Sequence, residues 1–139
     1  MRAQARSMTK TQGIHHAGLT VPDVARASRF FVEALGFAEV GAIPDYPAIF
    51  VSDGQVMLTL WQGDADALPA DRRRQLGLHH LALRVPDRAA LESLHRDLAA
   101  RDDVEVEFAP EPLREGPVHH MMFFIPGHIR LELIAPVAG

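Results

Sequence analysis

Two short segments of the chain carry the residues best suited to metal chemistry, and the two segments are nearly identical. Residues 14–23 read IHHAGLTVPD and residues 78–87 read LHHLALRVPD, at an offset of 64 residues. Both histidines, one leucine, one valine, the proline and the aspartate are the same in the two copies. Because imidazole is a common metal ligand, this repeat supplies two candidate ligands at equivalent positions.

Strand alternation decides which side of a sheet these side chains occupy, since residues two apart share a face. In the first copy the apolar Leu19 and Val21 must cover a helix, so His16 points to the opposite, open face. The same parity places His80 on the open face in the second copy. In the last predicted strand Glu132 alternates with apolar residues and shares that open face.

His16, His80 and Glu132 together form a 2-His-1-carboxylate set, which suits Fe(II) and also accommodates Mn(II), Ni(II) or Zn(II). A single histidine on a half-buried strand is more often a packed core residue. Two histidines at equivalent repeat positions and a matching glutamate favour a metal site instead. The first copy has Thr59 where the second has Glu132, so the fourth position carries no strong ligand.

The elements that must position these residues follow the same repeat. Each histidine segment predicts a strand, the Pro-Asp pair after it predicts a helix start, and three short apolar strands come next. The predicted fold class is α+β, with two tandem βαβββ modules. The predicted domain covers residues 14–136, with module 1 at 14–62, a linker at 63–77, module 2 at 78–136 and a disordered tail at 1–13.

Local signals predict where individual elements end. The first helix should begin after Asp23 and end at Gly36, where a left-handed cap is expected. In module 2, the prolines of residues 110–117 predict a loop between strands at 104–109 and 118–125.

Composition limits the classes of function. The 139 residues are 47% hydrophobic and 23% charged, with a formal net charge of −4 and no cysteine. These values indicate one globular domain without a basic footprint for nucleic acid and without thiol chemistry, which suits a cytoplasmic protein. No apolar run is long enough to span a bilayer, and residues 1–13 are too polar for a signal peptide. The expected partner is a small molecule or a second copy of the chain.

The only basic run, Arg72-Arg73-Arg74, lies in the predicted linker. Such a run could grip an anionic substrate at the mouth of a site. A run of three arginines in an otherwise acidic linker is more typical of a solvated face, so it is assigned no role here.

The sequence resembles the vicinal oxygen chelate superfamily, which includes glyoxalase I, methylmalonyl-CoA epimerase, extradiol dioxygenases, fosfomycin-resistance enzymes and bleomycin-resistance proteins. The resemblance covers residues 14–136. It rests on the two His-x-x-Leu-x-Val lines, on the segment Ala34-Leu35-Gly36-Phe37, and on the closing Pro-Gly and Leu-Glu-Leu segments. The resemblance implies paired modules whose mixed sheet curls into a metal-holding cup, usually in a homodimer.

Counting back from Glu132 through the preceding turn places His120, Met122 and Phe124 on the same face as the predicted ligands. His120 is the candidate general acid or base, because imidazole exchanges protons near neutral pH; a histidine that only packs or orients a ligand fits the position equally well. The expected substrate pocket is lined by Met57, Thr59, Trp61, Met122 and Phe124, although large apolar residues on strands are more often core.

Two departures from the resembling proteins bear on the activity. Glyoxalase I and the epimerase use a fourth side-chain ligand in the first module, where this chain has Thr59. The lysine and serine used by fosfomycin-resistance enzymes have no evident counterpart in residues 110–116. We therefore expect a divalent-metal enzyme acting on a small oxygen-chelating substrate, with dioxygenase-like oxidoreductase chemistry preferred. The alternatives are a glyoxalase-type lyase or isomerase, a fosfomycin-type enzyme, and a drug-binding protein without catalysis.

Overall fold

The structure is a computed structural model that describes residues 8–136. Residues 1–7 of the predicted disordered tail lie outside the described residues, whereas residues 8–13 form no helix or strand. No helix within residues 8–136 is long and apolar enough to cross a membrane.

The order of elements confirms two tandem βαβββ modules. The first module comprises β1 (His16–Val21), α1 (Val24–Leu35), β2 (Ala38–Ile43), β3 (Ala48–Ser52) and β4 (Met57–Gln62). The second comprises β5 (Leu81–Arg84), α2 (Arg88–Ala99), β6 (Glu105–Pro112), β7 (His119–Ile125) and β8 (Ile129–Ala135). The chain is therefore an α+β protein, as its repeat predicts.

The eight strands form two mixed sheets with the same topology. Their strand orders are β1-β4-β3-β2 and β5-β8-β7-β6, and in each sheet the first strand runs parallel to its neighbour. The two modules also share their register, because Gly18 lies opposite Thr59 and Ala82 lies opposite Glu132. Thr59 and Glu132 thus occupy equivalent places. Within residues 8–136, no strand pairing joins the two sheets.

Both helices start as the repeated Pro-Asp pair predicts. The carboxylate of Asp23 accepts a hydrogen bond from the backbone N–H of Arg26 at 3.0 Å, and that of Asp87 accepts one from Ala90 at 2.8 Å. Each aspartate satisfies an N–H group that the first helical turn leaves without a partner. Gly36 ends α1 with a left-handed backbone, at a φ of 75°.

The proline-rich segment of module 2 differs from its prediction. Strand β6 continues to Pro112 through part of the segment predicted as a loop. It is the edge strand of its sheet, where a missing N–H donor leaves no pairing group unsatisfied. Its pairing with β7 shifts between Val106 and Phe108 and again between Phe108 and Glu111. These irregularities let the strand carry prolines while it stays in the sheet.

One hydrophobic core serves both modules. Phe30 of α1 packs against Phe123 of β7, with ring centroids 6.1 Å apart, and both rings are fully buried. Helix α1 also contacts β2, β3 and β4 of its own module. Helix α1 therefore covers the first sheet, α2 covers the second through contacts with β6, β7 and β8, and the Phe30–Phe123 contact joins the two parts of the core. The open faces that carry His16 and Glu132 lie on the far side of each sheet.

A charged contact fastens the modules at the edge of this core. Arg101, just after α2, donates hydrogen bonds to Asp103 at 2.8 Å and to Glu33 of α1 at 3.3 Å. Its guanidinium also lies 5.6 Å from the ring centroid of Phe30. The hydrogen bond from Arg101 lowers the pKa of Asp103, so this carboxylate stays ionised while it holds the arginine in place.

Substitution of Phe30 tests the shared core. Phe30→Ala should lower the free energy of unfolding by about 3–5 kcal/mol, because it leaves a cavity between two modules. Val32→Ala is the matched control on the same helix, since Val32 is 39% exposed. It should change the stability by about 0.5 kcal/mol or less. Urea denaturation measures both, and equal effects of the two variants would contradict the shared core.

Candidate functional site

The second sheet brings three of the predicted polar side chains together on its open face. Nε2 of His80 lies 3.2 Å from Oε1 of Glu132, and Nδ1 of His120 lies 2.5 Å from Oε2 of the same carboxylate. Glu132 is 6% exposed and His120 is 9% exposed, whereas His80 is half-buried. This cluster, His80–Glu132–His120, is the candidate functional site.

The topology of the sheet explains this convergence. Glu132 lies on β8, which is paired with β5 on one side and with β7 on the other. His80 immediately precedes β5, and His120 lies on β7 opposite Ile134, two residues from Glu132 on the same face. The carboxylate is therefore flanked by one imidazole from each neighbouring strand.

The contact between Glu132 and His120 specifies a tautomer. An ionised carboxylate can only accept hydrogen bonds, so Nδ1 of His120 must carry the proton that it donates to Glu132. The neutral imidazole then has Nε2 as its basic nitrogen. The ring of Phe108 packs edge-on against His120, with centroids 5.0 Å apart, and restricts its orientation.

His16 does not join this cluster within one chain. It lies at the start of β1 in the first sheet, exposed, with its Nδ1 atom 2.9 Å from Nδ1 of His15. Across residues 8–136, no three His, Cys, Asp or Glu side chains are grouped so that they could hold a metal ion. The predicted triad is thus divided, with His80 and Glu132 in one sheet and His16 in the other.

The residues present fit a divalent metal in part. Imidazole and carboxylate are the donor types that such ions accept, and Glu132 directs a buried carboxylate toward His80. A third donor of the predicted set is missing from the open face of this sheet. One chain therefore supplies an incomplete metal centre.

The open face of the first sheet carries an aromatic surface in place of a carboxylate. Nε1 of Trp61 donates a hydrogen bond to Oγ1 of Thr59 at 2.9 Å. Tyr46 and Phe50 pack beside the indole, with centroids 5.0 and 6.1 Å from it. A Cβ atom at Gly18 would lie 3.1 Å from Oγ1 of Thr59 and 3.5 Å from Nε1 of Trp61. Glycine at this position leaves room for the indole.

The five predicted pocket residues are divided in the same way. Met57, Thr59 and Trp61 belong to β4, and Met122 and Phe124 belong to β7. Met122 lies directly opposite Glu132 in the register, so it borders the cluster. Phe124 lies two pairs further along and stacks on His128, with ring centroids 4.0 Å apart.

Sequence reasoning assigned no role to three side chains on the second sheet, namely Glu107, Phe108 and Arg130. Arg130 donates two hydrogen bonds to the carboxylate of Glu107, at 2.8 and 3.0 Å, and these lower the pKa of Glu107. Phe108 packs against His120. Alternation along β6 would have indicated the faces of Glu107 and Phe108, but the shifts in its pairing with β7 break that periodicity. Alternation along β8 did place Arg130 on the open face.

The family follows from a comparison of the chain with known proteins. Residues 13–133 match the model of the Glyoxalase/Bleomycin resistance protein/Dioxygenase superfamily. The chain belongs to this superfamily. The match covers both modules and confirms the resemblance found in the repeat.

Members of the superfamily with known structures have the same fold. A glyoxylase/bleomycin resistance protein/dioxygenase domain from Frankia superposes with a TM-score of 0.78 at 24% identity, covering 91% of this chain and 98% of that one. A fosfomycin resistance protein, FosX, from Listeria monocytogenes gives 0.72 at 17% identity, covering 91% and 94%. A curated relative from Actinomyces, 2-epi-5-epi-valiolone epimerase, is 29% identical over 163 aligned positions, covering 96% of this chain and 85% of the relative.

Membership of the superfamily does not select one reaction. The superfamily includes glyoxalases, resistance proteins and dioxygenases, and the structural likenesses establish the fold alone. The dioxygenase-like preference drawn from the sequence has no support in these likenesses. The reaction must therefore be argued from the side chains of the site.

The His120 tautomer is directly measurable. Long-range ¹H–¹⁵N correlation spectra at neutral pH should show His120 with its proton on Nδ1, because Glu132 accepts that proton in a hydrogen bond. Glu132→Ala should remove this preference, while His95, on α2, should give the same signals in both proteins. Protonation of His120 mainly on Nε2 in the unsubstituted protein would contradict the assigned contact.

Proposed function

We propose that the chain is a divalent-metal-dependent enzyme that moves a proton on a small, oxygen-chelating substrate, with an epimerase or isomerase outcome. The observation that carries this proposal is the buried contact of His120 with Glu132 beside His80. It combines a proton-transferring group with two side chains of metal-binding type. The curated epimerase relative supports the same class of reaction.

The metal centre in this proposal is shared between two copies of the chain. His80 and Glu132 of one copy and His16 of a second copy would hold the ion. Two features support this arrangement. One is that His16 lies on a different sheet from the other two donors, and the other is that the modules have matching topology and register. In a two-fold dimer, each metal centre would combine module 1 of one copy with module 2 of the other, so the dimer would contain two equivalent centres.

The edge strands supply a surface for such a dimer. Among residues 8–136, strand β1 pairs only with β4 and β5 pairs only with β8, so each presents one edge unpaired within that part of the chain. Unpaired edges favour association with another strand. Ile14 and Leu78, which precede these strands at equivalent positions, are 83% and 48% exposed. Contact between β1 of one copy and β5 of another would cover both apolar side chains.

In the proposed reaction, His120 transfers the proton. A bound divalent ion would polarise the chelated substrate oxygens and so acidify the adjacent carbon. Glu132 holds His120 in the tautomer with a basic Nε2 atom, which removes the proton from that carbon and, as the imidazolium, returns it to the substrate to complete the epimerisation or isomerisation. Phe108 fixes the ring. The aromatic surface around Trp61, contributed by the second copy with His16, would limit access of water to the site.

A second candidate is the dioxygenase-like chemistry favoured by the sequence. The specific observation behind it is that Thr59 accepts a hydrogen bond from Trp61 and occupies the place equivalent to Glu132. Three protein ligands would leave about three positions of an octahedral ion open, enough for a bidentate substrate and dioxygen. Proton transfer ranks first because the buried His120 contact serves it directly.

Mixing of inactive variants tests the shared metal centre. His16→Ala and Glu132→Ala should each lose bound metal. After subunit exchange, an equal mixture should recover about one quarter of the wild-type metal content, because half of the dimers are mixed and each has one intact site. Metal analysis by mass spectrometry gives the content. Light scattering should give twice the 15.3 kDa mass of one chain.

The matched control combines two variants of the same module. A mixture of His80→Ala with Glu132→Ala should recover no metal, since every mixed dimer then lacks one ligand in each site. Recovery in this control, or a monomeric mass at micromolar concentration, would refute the shared centre.

Isotope exchange separates the two reactions. With metal-loaded protein in D₂O, 2-epi-5-epi-valiolone and hemithioacetals should gain solvent deuterium during turnover, and His120→Gln should slow this exchange at least about 100-fold with unchanged metal content. An oxygen electrode with catechols is the opposing assay. Oxygen uptake without deuterium incorporation would favour the dioxygenase, and tight binding without either signal would favour a drug-binding protein.

A further inference from the structure

A pocket lies beside the candidate site, where the linker between the modules crosses the second sheet. Its cavity has a volume of about 150 Å³. Residues from the linker, from the start of β8 and from the turn before it form its walls. Those that matter here are Arg72, Arg73, His79, Phe124, His128 and Arg130. We call this cavity the linker pocket.

The cationic wall of the linker pocket is held in place by a carboxylate outside its lining. Glu107 accepts two hydrogen bonds from Arg130, and its Oε1 atom lies 3.8 Å from Nη1 of Arg72. One carboxylate thus faces two guanidinium groups and cannot neutralise both. Nη1 of Arg130 lies 3.4 Å from Nδ1 of His79 and is not part of the bidentate pair.

The linker turn is fixed by its own aspartate. Oδ1 of Asp71 accepts hydrogen bonds from the backbone N–H groups of Arg73 at 3.0 Å and Arg74 at 3.1 Å. This carboxylate is occupied by the turn, so it orients the arginines that follow it. The pocket is therefore lined by three arginines and by one carboxylate, Asp71, that already has partners, while Glu107 pairs with Arg72 and Arg130 from outside the lining.

The floor of the pocket is rigid. His128 has a φ of 59° and its ring lies 4.0 Å from that of Phe124, nearly parallel at 6°. The backbone N–H of Ala70 donates to the carbonyl of Gly127 at 2.8 Å, which fastens the linker to the turn. A Cβ atom at Gly127 would lie 2.9 Å from Cδ of Pro22, so only glycine fits there. The backbone that carries the cationic groups is thus fixed before any ligand arrives.

We infer that the linker pocket binds an oxyanion, namely a terminal phosphate or carboxylate group, through Arg72, Arg73 and the Nη1 atom of Arg130. Guanidinium groups match the geometry of such groups with paired N–H donors. The run Arg72-Arg73-Arg74, which the sequence analysis interpreted as a solvated face, therefore contributes only two of its three arginines to the pocket. Arg72 and Arg73 line the pocket, and Arg74 does not.

Because the linker pocket lies beside the candidate site, we infer that the oxyanion it binds is a group of the substrate. Arg130 and Glu132 lie on the same face of β8, two residues or about 7 Å apart along the strand. A small molecule held at the His80–Glu132–His120 cluster could therefore place an anionic group in the linker pocket. This second step rests on the proposed function, whereas oxyanion binding by the pocket does not.

Titration of the full chain with inorganic phosphate tests the binding step. Isothermal calorimetry at low ionic strength should show saturable binding. The double variant Arg72→Gln/Arg73→Gln should bind at least about tenfold more weakly, because it removes two charge-assisted donors. Arg74→Gln is the matched control from the same run and should bind within about twofold of the unsubstituted chain. Absence of saturable binding, or an equal loss in the control, would overturn the inference.

Further titrations test the arrangement of the pocket and its independence from the metal site. Glu107→Gln should tighten phosphate binding, because it removes the carboxylate that competes for Arg72 and Arg130; unchanged or weaker binding would contradict the arrangement. Acetate in place of phosphate tells whether the pocket prefers a carboxylate or a phosphate group. His80→Ala should lose metal yet retain phosphate binding, so failure of the metal proposal and failure of the pocket give different results.

Discussion

The burial of one face of each sheet in a single core, under helices α1 and α2, is the constraint on which the rest of the molecule depends. Phe30 fills the space against Phe123, and one core then serves both modules. A sheet that buries one face in this core can place functional side chains only on the other face. The open faces therefore lie on opposite sides of the shared core, and His16 is separated from Glu132 by the packing that stabilises the chain. Within residues 8–136 the three predicted ligands therefore do not meet in one chain.

The buried carboxylate of Glu132 depends on compensation by the histidines beside it in the second module. A carboxylate removed from water is costly unless hydrogen bonds and opposite charge compensate it. His80 and His120 approach the two oxygens of Glu132 from neighbouring strands, and no buried side-chain N or O atom within residues 8–136 lacks a partner. The site is thus a satisfied polar network in an otherwise apolar sheet. Such a network is rigid enough to hold one imidazole tautomer, which suits a group that transfers protons.

The sequence allowed the modules, the helix caps and the face of each site residue to be predicted, because these depend on local periodicity. It did not reveal how the modules dock, since an identical strand pattern can be completed by the other half of the same chain or by a second copy. Nor did it reveal the neighbours of Arg72, because its ion pair is with Glu107 in an irregular edge strand. The prolines near 110 concealed that strand, because proline is tolerated only where the sheet has an unpaired edge. Local pattern therefore predicted the position of each group on its strand, and long-range packing determined its neighbours.

The two modules share a topology but have diverged at equivalent places. Glu132 in the second module corresponds to Thr59 in the first, and Ala82 corresponds to Gly18. Without a side chain at Gly18, the indole of Trp61 can lie across the strand and donate its hydrogen bond to Thr59. A carboxylate at position 59 would instead stand in this aromatic surface and need its own compensation. The first module thus presents an aromatic wall with one predicted ligand, His16, and the second module carries the cluster of His80, Glu132 and His120. If the aromatic surface around Trp61 in one copy faced the His80–Glu132–His120 cluster of another, the site between them would be apolar on one side and polar on the other. Such an asymmetric site would hold a small substrate in one orientation.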